Sequence, residues 1–114
     1  MSDNGKIAQM ISTQILDIAR GEPGARIPVD LDYFITGQGW KQVGHGVTGR
    51  DGSIAEFGEV PAAGVYRLVM DVAAYMPHIF FPSLSVTFES KDAAEDHHLV
   101  VQISPFGYSV CRVL

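Results

Sequence analysis

Four histidines, one cysteine and a thin scatter of charged residues are the groups through which this chain can do chemistry. His97 and His98 are adjacent. Neighbouring side chains on an extended strand point to opposite faces, so the pair cannot grip one metal ion together. His45 and His78 lie beside turn or helix signals without spaced Cys, Asp or Glu partners, and no zinc site is expected. Arg112 follows Cys111 and would favour a thiolate, but adjacency again separates the two across a strand. The expectation for Cys111 is a small buried packing residue. Asp51-Gly52 reads as a turn, and no glycine-rich phosphate loop followed by Lys-Ser/Thr is present. Chemistry here therefore depends on what the strands bring together.

Strands dominate the pattern. Ile27, Val29, Leu31 and Tyr33 alternate with Pro28, Asp30 and Asp32. Tyr66, Leu68 and Met70 alternate with Arg67, Val69 and Asp71, and Leu84, Val86 and Phe88 with Ser83, Ser85, Thr87 and Glu89. This period of two marks strands with one face on a core and the other face wetter. Turn residues punctuate them: Gly21-Glu22-Pro23-Gly24, Gly37-Gln38-Gly39, Pro61 to Gly64, Lys91 to Asp96, and Arg50-Asp51-Gly52. The Asp-Gly pair is the strong hairpin signal. Seven or eight short strands at such spacing predict an all-β sandwich or barrel. One stretch, Asp71 to Ile79, breaks the alternation with good helix formers and is bounded by Pro77, predicting a single short helix.

Composition narrows the function classes. The 114 residues fit one domain, expected over residues 10–114, with a flexible tail over residues 1–9. A hydrophobic fraction of 46% with 18% charged residues is globular. The net charge of −5, without any run of Lys or Arg, argues against nucleic acid as a partner. No apolar stretch approaches the roughly twenty residues of a membrane span. A polar start and a single cysteine lead us to expect a cytoplasmic protein.

The outward faces carry the functional hint. Gln14 and Leu16 share one; His98, Val100 and Gln102 share another, opposite Leu99, Val101 and Ile103; Ser109, Cys111 and Val113 share a third. A solvated face should carry Lys, Glu, Thr and Arg. These are neutral and half apolar, as expected of a surface covered by another subunit or a ligand.

Three segments resemble one known family. Ile11 to Asp17 with Ala19 to Val29 resembles the opening strands of 5-hydroxyisourate hydrolases and transthyretins. Gly64 to Leu68, Phe80-Phe81-Pro82 and Val86-Thr87-Phe88 resemble its centre, and His98 through Ser104-Pro105-Phe106-Gly107-Tyr108-Ser109 its C-terminal signature. The resemblance implies a two-sheet transthyretin-like sandwich with a short helix. It also implies a dimer of dimers whose central channel holds the sites, lined here by Gln14, Leu16, Ser53, His98, Gln102, Ser109 and Cys111. No cofactor or metal is implied. In the hydrolases the channel opens a cyclic amide with water. The expected machinery is a His on the first strand, an Arg after the Asp-Gly turn, a His on the penultimate strand and a terminal Tyr-Arg-Gly-Ser.

This sequence departs from that set. Gln14 stands for the first histidine, Ser53 for the turn arginine, and the terminus reads Cys111-Arg112-Val113-Leu114. His98 and Arg112 remain as the expected catalytic pair. Gln14 cannot exchange a proton near neutrality, and Ser53 cannot supply a charged fork. The resemblance with these departures leaves three readings. One is an enzyme with a retuned channel that opens or closes a small planar heterocycle by proton transfer. The second is a non-catalytic binder of such a ligand. The third is weak hydroxyisourate hydrolysis through His98 and Arg112 alone.

Overall fold

The computed structural model describes residues 10–58, 60 and 62–113, and the tail expected over residues 1–9 lies outside them. Among these described residues nine strands form in order: β1 (Ile11–Asp17), β2 (Glu22–Pro23), β3 (Pro28–Ile35), β4 (Gly39–Val47), β5 (Ser53–Ile54), β6 (Gly64–Asp71), β7 (Ser83–Ser90), β8 (His97–Ser104) and β9 (Gly107–Val113). β2 and β5 are two-residue bridges. β1, β3, β6, β7, β8 and β9 are strands that the alternation predicts, β4 fills the run between the Gly37-Gln38-Gly39 and Arg50-Asp51-Gly52 turns, and together they stack as the expected two-sheet sandwich.

One sheet runs β2-β1-β8-β9 with β5 also on β1, and the other runs β4-β3-β6-β7. Their inner faces meet through Ile11, Ile15, Leu99, Val101 and Ile103 on one side and Val29, Leu31, Tyr66, Leu68, Met70 and Leu84 on the other. Each such aliphatic side chain withdrawn from water stabilises the fold by about 1.5–3 kcal/mol. β1 and β8 pair in parallel from Ile11 and His97 to Asp17 and Ile103, whereas the other ladders between the described strands are antiparallel. A parallel pair needs a long crossover, and here nearly the whole chain supplies it.

Two sequence expectations need correction. Asp51-Gly52 is a turn but does not close a hairpin, because β5 pairs with β1 and not with β4. Gly52 is required there: its φ is +81°, and a Cβ would collide with the Ile15 carbonyl oxygen. The Ile15 amide donates to the Gly52 carbonyl at 2.8 Å, which clamps the turn onto β1. The helix expected over Asp71 to Ile79 contracts to one 3-10 turn, Val72–Ala74. Pro77 offers no N–H and disfavours helical backbone at Met76, so the turn cannot propagate.

The two outward faces differ in kind. The second sheet is charged outside: Asp30 meets His45 at 2.6 Å, Asp32 meets Arg67 at 2.8 Å, and the Arg67 guanidinium lies 4.2 Å from the Trp40 ring centre. The first sheet is not.

β1 ends on a buried carboxylate, Asp17, which accepts the Ala19 and Arg20 amides at 3.1 Å and the Tyr75 hydroxyl at 2.8 Å. Burial, and then the Asp17 carboxylate, hold the Tyr75 hydroxyl above the ordinary phenol range. This joint ties the 3-10 segment to the first sheet. Asp17→Ala strands all three donors and is expected to cost about 3 kcal/mol in urea unfolding, against about 1 kcal/mol for Tyr75→Phe. Equal losses in the two variants would show that the amides find other partners.

Candidate functional site

The pleat of β1 decides which of its residues can act. Ile11, Thr13, Ile15 and Asp17 face inward and are buried, and this turns Ser12, Gln14 and Leu16 outward. Register then completes the surface. Ser12, His98 and Val113 lie in one row across β1, β8 and β9; Gln14, Val100 and Cys111 in the next; Leu16, Gln102 and Ser109 in the third. On the other side of β1, Gln14 is the register partner of Ser53. Residues opposed in a ladder share a face, so this outward surface brings together every sequence-predicted site residue except Arg112.

Arg112 is the register partner of Leu99 and so belongs to the opposite face from His98. Its guanidinium nitrogen Nη2 donates to Glu95 Oε2 at 3.0 Å. The two faces nevertheless meet where β1 and β8 begin and β9 ends. There a cavity of about 590 Å³ is lined by Ser12, Glu95, His97, His98, Arg112 and Val113 among others. His98 and Arg112 share this cavity by reaching it from either side of the sheet. His98 Nδ1 lies 2.7 Å from Ser12 Oγ.

A second cavity of about 430 Å³ lies along β1, walled by Gln14, Leu16, Glu22, Pro23 and Asp51. Ser53 borders it through Asp51, whose Oδ1 accepts both the Ser53 hydroxyl at 2.7 Å and the Ser53 amide at 3.0 Å. These hydrogen bonds hold the Asp51 carboxyl below the ordinary range, so it stays ionised well into acid. Gln14 Nε2 donates to the Asp51 carbonyl at 3.4 Å. Gln102 and Ser109 are joined to each other, Ser109 Oγ donating to Gln102 Oε1 at 3.0 Å.

Cys111 departs from its expected burial: it is exposed. β9 is the terminal strand of its sheet, and nothing in the described chain covers its outer face. Ser12 and Glu95 line the larger cavity and Asp51 the second, although no sequence motif marks them. The face of Ser12 was legible from the alternation through Gln14 and Leu16. Its contact with His98 was not, since 86 residues separate them.

Comparison with known proteins agrees with this architecture. The family model described as the HIUase/Transthyretin family matches residues 11–112. The uric acid degradation bifunctional protein of Arabidopsis thaliana is 33% identical over 117 residues and covers 90% of this chain, which spans only 36% of that longer protein. The structure of 5-hydroxyisourate hydrolase from Klebsiella pneumoniae matches with a TM-score of 0.79 at 30% identity, covering 92% of this chain and 99% of that one. Sea bream transthyretin in complex with thyroxine matches with a TM-score of 0.83 at 26% identity, over 91% and 94% of the two chains.

His97 forms the inner wall of the larger cavity. It is 5% exposed, its Nε2 lies 3.0 Å from Ser90 Oγ, and its amide donates to the Met10 carbonyl at 2.9 Å. Burial, and then the positive charge of Arg112, push its pKa below the ordinary value, against the partial opposition of Glu95 and Asp96. A histidine kept neutral in the fold binds a proton more readily once unfolded. Its contribution is therefore full above about pH 6.5, where the unfolded imidazole is also neutral, and is lost as pH falls toward the folded value. The melting temperature should drop as pH falls below about 6.5, and His97→Phe should make that drop shallower. Parallel melting curves for the two proteins would show that His97 is not the group responsible.

Proposed function

Because the chain belongs to the HIUase/transthyretin family, we propose that it is a homotetrameric, hydroxyisourate-hydrolase-like enzyme with a retuned channel. It acts by proton transfer on a small planar heterocycle, opening a cyclic amide or closing one, in the cytoplasm and without a cofactor. The observation that carries this reading is the cavity shared by His98, a titratable group, and Arg112, a fixed cation. A pure carrier has no need of that combination beside a hydroxyl.

The departures from the family set argue for a changed substrate. The hydrolase machinery expected from the resemblance places a cationic arginine at position 53. Here Ser53 instead hydrogen-bonds an ionised Asp51 beside Gln14. A fixed cation is thus replaced by a neutral hydroxyl held by a carboxylate, and a substrate that develops negative charge at that end loses the stabilisation an arginine would give. Heterocycles that are neutral or positive at this end suit the wall better.

Covering the first sheet supports the tetramer. Its outward rows are neutral and half apolar, while the second sheet carries its ion pairs outside. Val113, in the first of these rows, is also exposed. A lone sandwich leaves this surface wet at a cost, and a second copy removes it from water. Light scattering at micromolar concentration should return the mass of four chains. A stable monomer would remove the channel from the proposal.

Decay of freshly generated 5-hydroxyisourate, followed spectroscopically, should be slow with this protein. Restoring the set, with Gln14→His, Ser53→Arg and a terminal Tyr-Arg-Gly-Ser, should recover hydrolysis by roughly two decades, the scale of a general base. Single changes should do little, because such residues act as a unit. A folded, tetrameric variant without any gain would mean that the channel is reshaped. Tight binding of planar heterocycles with no turnover of any would favour the carrier, the role for which thyroxine-bound sea bream transthyretin offers a structural parallel.

A further inference from the structure

We propose that Ser12 is a nucleophile and His98 its base. The proposal rests on the ring-opening form of the reading above, but its chemistry can be tested without a substrate. Ser12 Oγ and His98 Nδ1 are 2.7 Å apart, which is the separation of a good hydroxyl hydrogen bond and within the range of a nucleophile and its base. Both line the cavity of about 590 Å³, together with Arg112. No other serine of this sheet is placed in this way. Ser53 donates to Asp51, Ser104 to the Gly107 carbonyl and Ser109 to Gln102, so each is committed to an oxygen.

The backbone holds the pair in place. Ser12 lies between Ile11 and Thr13, both fully buried, and Thr13 Oγ1 donates to the Leu99 carbonyl at 2.9 Å. That bond crosses from β1 to β8 one residue along from the Ser12–His98 row. The two strands are thus pinned on the inner face directly behind the pair. A slip of one residue would send Ser12 and His98 to opposite sides, so the geometry is fixed by the core and not by the surface.

Ser12 Oγ adds to the carbonyl carbon of a cyclic amide as its proton passes to His98 Nδ1, and the carbonyl electron pair moves to oxygen. The Arg112 cation in the same cavity favours that oxyanion. Collapse breaks the ring C–N bond, and the leaving nitrogen takes the proton from His98. The opened ring remains as an ester on Ser12. Water then adds to the ester carbonyl and gives a proton to His98, which returns it to Ser12 Oγ as the ester bond breaks.

Phenylmethylsulfonyl fluoride probes this directly on the full chain. Intact mass and peptide mapping should show one sulfonyl adduct, on Ser12. The labelling rate should fall by about a hundredfold in His98→Gln, which keeps the hydrogen bond but not the base. Ser12→Cys keeps a nucleophile at the same place, and iodoacetamide should alkylate it faster than Cys111. A folded protein that yields no Ser12 adduct, together with a Ser12→Cys thiol no faster than Cys111, overturns the proposal. Labelling at Ser12 that ignores His98→Gln overturns the assignment of the base. If Ser12 is labelled as expected and no cyclic amide is opened, the ring-opening reading fails while the nucleophile stands.

Discussion

The parallel ladder between β1 and β8 is the constraint on which the rest of the molecule depends. It joins residues at the two ends of the chain, and everything between them is the crossover. Its inner side supplies Ile11, Ile15, Leu99, Val101 and Ile103 to the core. Its outer side sets Ser12 against His98, Gln14 against Val100 and Leu16 against Gln102. Because the side-chain period is two, core and site cannot be chosen independently: fixing which residues are buried fixes which are offered to a ligand. The energy of the buried half is what positions the exposed half.

This explains which features were legible in the sequence. Faces were, because alternation is local: Ser12, Gln14 and Leu16 on one side and His98, Val100 and Gln102 on another follow from counting by two. The number and spacing of such runs left a sandwich or a barrel, and the resemblance implied the two-sheet sandwich. Partnership was not legible. Nothing local says that β1 lies beside β8 in parallel, or that the Asp51-Gly52 turn folds back onto β1 where a hairpin signal would keep it on β4. The resemblance supplied the neighbourhood of Gln14, Ser53 and His98, but not the specific contacts of Ser12 with His98 or of Ser53 with Asp51. Those are set by side-chain rotamers in a register that only the assembled fold fixes.

Arg112 shows the limit of alternation from the other side. Counting by two places it on the face away from His98, and the register agrees. Both still open onto one cavity, because a face is a useful division only along the body of a sheet. At the end of β9 the guanidinium is held by Glu95 at 3.0 Å. A long side chain at a strand end can line a cavity that opens past the edge of its own face, which a short side chain in mid-strand cannot.

The same division bears on how such a scaffold changes its function. Inward positions of β1 are held by packing and by specific polar contacts: Thr13 to the Leu99 carbonyl, Asp17 to Tyr75 and two amides. A substitution there leaves a cavity or an unsatisfied buried group, and costs several kcal/mol. Outward positions contact little of the core. Gln14 makes one long hydrogen bond to a backbone carbonyl, and Ser53 bonds a carboxylate two residues away. Replacing a histidine or an arginine at such places changes proton transfer and charge at the wall of a cavity while the core is left as it was. The ladder therefore lets the outer face change at little cost to the core, and a chain only 30% identical to a hydroxyisourate hydrolase keeps that protein's fold with a TM-score of 0.79.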